Sequence, residues 1–302
     1  MNMNLDFIKG IIPPIVTPID KDEKIDEKAL REQVDFVIDG GVSGILAFGS
    51  NGEFYMLEEN EMESALKIIV DQVNGRVPVY FGIGAIRTSK CVRIANMALE
   101  NGANAISVLQ PMFIKPSEDE LFNHFATIAD SVKGSPVLLY NNPGRAGYGM
   151  SQNLVERLVH EKDNIVGMKD SSGDMTQLEE FIRRNSDRSF KVLAGKDTLI
   201  YPGLCCGSVG AVCMTANFAP ALVCSIYSKF INGDLEGSRE AQFVLNPLRL
   251  QMDKSSWPTA TKDCTNLVGR KVGNVFRPSM PSTPAQMEEL KIQLAKAGVL
   301  YS

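Results

Sequence analysis

Histidine is almost missing: the 302 residues contain two, His124 and His160, and neither stands at a metal-ligand spacing from cysteine or carboxylate. Metal-assisted chemistry therefore has no support, and both histidines read as structural or solvent-facing. The six cysteines, Cys91, Cys205, Cys206, Cys213, Cys224 and Cys264, contain no C-x-x-C pair. Several sit in apolar surroundings, so they read as reduced thiols, and the adjacent Cys205 and Cys206 as packing residues rather than nucleophiles. Positive charge is not in excess: 31 Lys and Arg stand against 36 Asp and Glu, a net of -5. A phosphate backbone would find no basic stripe, so no nucleic-acid partner is expected. No apolar run approaches the roughly 20 residues of a membrane span, and Met1 to Gly10 lacks the organisation of a signal peptide. No membrane association and a cytoplasmic address are the expectations. A glycine fingerprint for dinucleotides is also missing from the first strand-helix unit.

What is present is a repeat of structure rather than of sequence. Eight short apolar runs, at Gly10 to Val16, Gly44 to Phe48, Val77 to Ile83, Ala105 to Leu109, Pro136 to Tyr140, Asn164 to Met168, Phe190 to Ala194 and Ser208 to Met214, are bounded by Gly, Pro, Asn or Ser. Continuous hydrophobicity over so few residues marks parallel strands covered on the outside by helices. Between them lie amphipathic segments, such as the one carrying Leu121, Phe125, Ile128 and Val132 behind the capping-box string Ser117 to Glu120. Strand starts recur every 20 to 35 residues or so, the length of a βα unit rather than of a hairpin. Eight such units predict a (β/α)₈ TIM barrel, which typically takes about 250 residues. An open doubly wound sheet is the alternative on pattern alone. The division expected is a catalytic barrel over 1–219, followed over 220–302 by the eighth barrel helix and a C-terminal helical region. Helices are expected there at Phe218 to Ile231, Leu235 to Met252 and Thr283 to Ala297, the last opening on a Thr cap with Pro at its first position.

In such a barrel the site lies at the C-terminal ends of the strands. Four strings qualify: Gly49 to Glu53, Tyr140 to Arg145, Lys169 to Asp174 and Gly195 to Asp197. Lys169 follows Ile165-Val166-Gly167-Met168 directly, so it projects toward the low-dielectric top of the barrel, where desolvation favours the neutral amine that attacks carbonyls. The competing reading turns it to solvent or pairs it with Asp170. Tyr140 in the same space is a proton relay, and otherwise a core tyrosine. Gly49, Ser50 and Asn51 form a turn of small residues whose N–H groups and hydroxyl suit a carboxylate; by itself it is also an ordinary tight turn.

Taken together these strings resemble the dihydrodipicolinate synthase and N-acetylneuraminate lyase superfamily. The resemblance runs over nearly the whole chain, through Gly10-Ile11-Ile12-Pro13-Pro14, Gly49 to Glu53, Tyr140 to Pro143, Gly167 to Asp170 and Gly207 to Asn217. It implies a (β/α)₈ barrel with a C-terminal helical region, a homotetramer, a pyruvate-type keto acid as partner, and no metal or organic cofactor. It further implies Lys169 as the imine lysine, Tyr140 as the proton relay, Ser50 and Asn51 at the carboxylate turn, and Val212 as a backbone contact to the keto acid. Synthases of the lysine precursor carry a Thr-Thr pair where this chain has Ser50-Asn51. They also place a tyrosine from a neighbouring subunit where it has Phe113, which cannot relay a proton. The strings S-N-G-E-F and K-D-S-S-G-D look more like aldolases for 2-keto-3-deoxy sugar acids and 4-hydroxy-2-oxoglutarate. Pyruvate-releasing cleavage of such an acid is therefore the first expectation. The alternatives are a 4-hydroxy-tetrahydrodipicolinate synthase joining pyruvate to aspartate semialdehyde, a 2-keto-3-deoxy sugar acid dehydratase, and a non-catalytic keto-acid sensor. Arg145 matches the synthases' carboxylate arginine and suits two-point binding, although holding a loop by backbone carbonyls is its other reading.

Overall fold

A computed structural model describes residues 3–300. Eight strands, β1 (Gly10–Ile12), β2 (Ile45–Ala47), β3 (Val79–Ile83), β4 (Ala105–Leu109), β5 (Val137–Asn141), β6 (Ile165–Asp170), β7 (Lys191–Ala194) and β8 (Gly210–Val212), alternate with helices. All seven ladders are parallel, and β1 pairs with β8. Between β1 and β2 the ring closes through a parallel bridge of Pro14 with Leu46, where Leu46 N donates to Pro13 O at 2.9 Å and Ile15 N to Leu46 O at 3.0 Å. The expected barrel is what forms. Its first strand is shorter than the apolar run predicts, because Pro13 and Pro14 bring no N–H to a ladder.

Two apolar layers follow from the strand alternation. Ile12, Leu46, Tyr80, Ala105, Leu138, Val166, Leu193 and Val212 fill the barrel interior, while their strand neighbours pack outward against the helices. One irregularity has consequences for the site. Val137 pairs with Ile165 but Leu138 pairs with Gly167, so β6 carries one extra residue against β5. Val166 faces the interior and Met168 packs outward. Two residues apart on a regular strand they would share a face; the bulge reverses the alternation between them. Lys169 consequently points inward. Seating Val166 contributes about 1.5 to 3 kcal/mol, enough to offset a disturbed ladder bond worth about 1 kcal/mol.

The helix caps follow the sequence. The Ser117 hydroxyl accepts from Glu120 N at 3.3 Å while the Glu120 carboxylate accepts from Ser117 N at 2.7 Å, and Thr283 with Gln286 repeats the pattern behind Pro284. Beyond β8, helices Pro220–Ile231, Leu235–Met252, Thr259–Leu267 and Pro284–Lys296 form the C-terminal region. Leu248, Met252, Cys264, Leu290 and Leu294 cluster there with Met214 and Phe218, which come from the turn after β8. That shared cluster seats the region on the mouth of the barrel. The helix Thr259–Leu267 was not expected. Its apolar stripe is short and small, Ala260, Cys264 and Leu267, and its residues Thr259 to Thr265 are all buried. No helix is long and apolar enough to cross a membrane among the described residues. The cysteines are unpaired, with Cys91, Cys213 and Cys264 buried and Cys205 exposed.

Candidate active site

Tyr140 on β5 and Lys169 on β6 are direct register partners. With the bulge behind them, both side chains enter the mouth. The Lys169 nitrogen lies 4.1 Å from the Tyr140 ring centroid, and the two residues are 6% exposed each. The alternative in which Lys169 turns to solvent or pairs with Asp170 is not what forms. Asp170 instead accepts from Asn141 Nδ2 at 2.7 Å and from the Ser172 hydroxyl at 2.6 Å. Burial raises the Asp170 pKa, only partly offset by those two donors.

The phenol is the electrostatically unusual group. Burial alone would push its pKa up. The Lys169 ammonium opposes this, as do hydrogen bonds from Asn142, Ser50 and Lys169, and the balance leaves Tyr140 below the usual tyrosine value. The Asn142 amide donates to the phenol oxygen at 2.7 Å. Asn142 was not singled out from sequence, although it stands inside the Tyr140 to Arg145 string. A phenol held this way is able to accept or return a proton.

Ser50 and Asn51 lie on a single 3₁₀ turn, Ser50–Gly52, entered from Gly49. Two non-glycine residues in left-handed conformation bracket it, Phe48 at φ 55° and Glu53 at φ 52°. Such strain persists only where packing dictates it. At Phe48 the cause is a close approach: a Cβ on Gly82 would lie 2.6 Å from the Phe48 carbonyl oxygen, so only glycine fits beneath it. At Glu53 the anchor is a buried ion pair. Its carboxylate meets Lys262 Nζ at 2.7 Å, both side chains are 1% exposed, and it also accepts from Phe276 N at 3.0 Å. Thr261 adds a hydroxyl that donates to Asn51 Oδ1 at 2.9 Å. The unexpected helix therefore clamps the turn from behind.

One cavity of ≈ 270 Å³ gathers all four sequence strings. Ser50, Asn51, Tyr140, Arg145, Lys169 and Val212 line it, and Gly49 stands just behind the turn. Gly195 passes so close to the β6 end that a Cβ there would meet the Ser171 hydroxyl and the Asp170 carbonyl. Asp197 is engaged by Thr215, whose N and hydroxyl donate at 2.8 and 2.6 Å. Arg145 sits in the short helix Pro143–Ala146, its guanidinium carbon 5.4 Å from the centroid of the Trp257 ring. Arg249, Asp253 and Trp257, from the C-terminal region, complete the lining and carried no sequence signal of their own. No group of His, Cys, Asp and Glu able to hold a metal occurs among the described residues.

A parallel eight-stranded barrel with a buried lysine facing a tyrosine at its mouth defines a class of enzyme that can act on carbonyl compounds through an imine. The chain belongs to the Dihydrodipicolinate synthetase family, whose sequence model matches residues 7–297. It is thus an enzyme of a family of pyruvate-dependent lyases and synthases that use a lysine Schiff base, and the sensor alternative falls away. Over 294 residues it is 36% identical to the 4-hydroxy-tetrahydrodipicolinate synthase of Methanopyrus kandleri, covering 97% of each chain. It is 34% identical to the protein of that name from Thermus thermophilus, over 97% of this chain and 98% of the other. Among solved structures, the E. coli K12 prophage protein YagE in complex with pyruvate matches with a TM-score of 0.93 at 30% identity, covering 98% of this chain and 100% of that one.

Proposed function

We propose that Lys169 forms an imine with the C2 keto group of pyruvate and that the derived enamine joins an aldehyde, the substrate being aspartate semialdehyde. Lys169 Nζ adds to C2 and water leaves. Loss of a C3 proton gives the enamine, whose C3 attacks the aldehyde carbon while the aldehyde oxygen takes a proton delivered by way of Tyr140. The amine carried by aspartate semialdehyde then adds to C2, closing the ring and displacing Lys169. The turn at Ser50 and Asn51 holds the C1 carboxylate, with the Val212 backbone at the keto acid and Arg145 at the carboxylate of the second substrate.

The observation that carries this reading is the register pairing of Tyr140 with Lys169, which sets a proton-transferring phenol 4.1 Å by its ring centroid from the amine. The experiment is borohydride reduction in the presence of pyruvate followed by peptide mass spectrometry. The adduct is expected on Lys169; an unmodified Lys169 in active enzyme, or full activity in Lys169→Ala, refutes the role.

The choice of synthase over cleavage rests on the relatives, which bear the synthase name at 34 to 36% identity, and on Arg145 at the cavity. They favour the alternative over the first expectation from the motifs. Pyruvate-releasing cleavage of a 2-keto-3-deoxy or 4-hydroxy-2-oxo acid keeps its two specific supports, Ser50-Asn51 in the turn and Phe113 without a hydroxyl. A higher kcat/KM for every such acid than for the condensation would restore it. We further infer a homotetramer. Phe113 is 89% exposed, at φ 79°, and Ile114 is 69% exposed beside it; an apolar face of this kind is suited to a second copy. A cytoplasmic enzyme fits its unpaired thiols.

A further inference from the structure

Arg249 and Trp257 belong to the C-terminal region, yet both line the cavity that holds Lys169. Arg249, near the end of the helix Leu235–Met252, is 7% exposed. Its Nη1 donates to Asp253 Oδ1 at 2.7 Å, while its Nε is buried without a hydrogen-bond partner among the described residues. The indole Nε1 of Trp257 is in the same condition. Trp257 lies against both arginines: the guanidinium carbons of Arg249 and Arg145 lie 5.8 and 5.4 Å from its ring centroid. Guanidinium groups held against one indole form a fixed arrangement rather than two free arms.

A guanidinium at a cavity wall takes up acceptors that arrive with a ligand. The charges around the cavity say which kind. Apart from Lys169, whose nitrogen carries the keto acid in the proposed chemistry, Arg145, Lys196 and Arg249 stand against Asp197 and Asp253. Asp197 is already engaged by Thr215 and Asp253 by Arg249. The complement of that charge is an oxyanion.

We propose that Arg249 and Trp257 are specificity-determining residues, forming a subsite that binds the carboxylate of the second substrate in addition to any contact from Arg145. The proposal rests on the imine reading above, and it makes the C-terminal region, rather than the barrel loops alone, the selector of acidic over neutral aldehydes.

The test compares pyruvate-dependent turnover of aspartate semialdehyde and succinic semialdehyde with that of glyceraldehyde. Wild type, Arg249→Lys, Arg249→Met and Trp257→Phe are each checked first for borohydride trapping of pyruvate. Trapping reports the Lys169 chemistry without the subsite, so its failure in wild type would sink the imine reading and leave the subsite judged by binding. For binding, Trp257 is the only tryptophan of the chain, and its emission is followed as succinate is added at constant ionic strength. Expected are a saturable emission change in wild type that Arg249→Met loses, and a fall of roughly tenfold to a hundredfold in the acidic-to-neutral ratio of kcat/KM for Arg249→Met, the scale of one charge-assisted hydrogen bond. Arg249→Lys, which keeps the charge but loses the fork, should fall between. An unchanged ratio in variants that still trap pyruvate overturns the proposal, as does a wild type that prefers glyceraldehyde or gives no emission change with succinate.

Discussion

Lys262→Met should be the most damaging single change away from the cavity itself. Lys262 and Glu53 are each 1% exposed and meet at 2.7 Å, with Lys262 Nζ also donating to Asn274 O at 2.8 Å. Burial lowers the Lys262 pKa, and the Glu53 carboxylate works against that shift by favouring the ammonium. Methionine fills much of the volume but leaves the buried Glu53 carboxylate without its counter-charge. Breaking a buried pair on one side costs about 3 to 5 kcal/mol, a large share of the roughly 5 to 15 kcal/mol that holds a typical domain folded. The damage should reach function as well, because Glu53 anchors the strained end of the Ser50–Gly52 turn. Urea unfolding would show a lowered midpoint at unchanged slope, and pyruvate KM would rise. The double variant Glu53→Gln with Lys262→Met removes both charges and should recover part of the loss, since a neutral pair lacks the stranded carboxylate. A Lys262→Met protein within about 1 kcal/mol of wild type, with pyruvate KM unmoved, would refute the clamp.

Tyr140→Phe should lower turnover by about 10²-fold or more, the usual scale for a placed acid-base group, while borohydride trapping of pyruvate persists; equal turnover would remove the relay. Asn142→Ala takes a donor from the Tyr140 oxygen, so the phenol pKa rises toward its ordinary value and the limb on which kcat grows with pH moves to higher pH; a limb that stays put assigns it to another group. His124 is buried against Thr88 and its pKa is pushed down by burial to about 4 from 6.5. Below pH 6.5 the unfolded chain gains a proton that the folded one refuses, so stability falls between pH 6.5 and 4 by about 3 kcal/mol. Unfolding of His124→Gln followed over that range should show the fall reduced. Gly82→Ala, whose Cβ would press on the Phe48 carbonyl, should weaken pyruvate binding more than it lowers the unfolding midpoint.

The barrel was legible because its signal is redundant: eight apolar runs, each bounded by turn residues, at the spacing of βα units. Its boundaries were less so, since Pro13 and Pro14 are apolar but cannot extend a ladder. The strings that line the cavity were legible for a similar reason, each lying just past a strand. What stayed hidden lies in the C-terminal region. The helix Thr259–Leu267 escaped because its apolar stripe is limited to Ala260, Cys264 and Leu267, while its polar residues Thr261, Lys262 and Thr265 are buried as well. Its partners, Asn51 and Glu53, stand over 200 residues away in sequence. No local pattern reports a contact of that span.

The bulge in β6 sets the direction in which Lys169 points. A lysine at the end of a strand is useful only if it faces inward, and strand alternation counted from Val166 would have sent Lys169 outward to the helices. The extra residue between Ile165 and Gly167 restores the inward face. Gly167 is glycine for a related reason, because a Cβ there would lie 2.5 Å from the Lys191 carbonyl oxygen of the next strand. The short string Val166-Gly167-Met168-Lys169 therefore encodes three requirements at once: an interior plug, a close approach to β7, and a reversal of parity that turns the amine toward Tyr140. Its neighbour β5 needs no such correction, for Leu138 and Tyr140 share the inner face by simple alternation. The pair at the centre of the proposed chemistry thus meets through one regular strand and one irregular strand, and a closed ladder between them holds the meeting fixed.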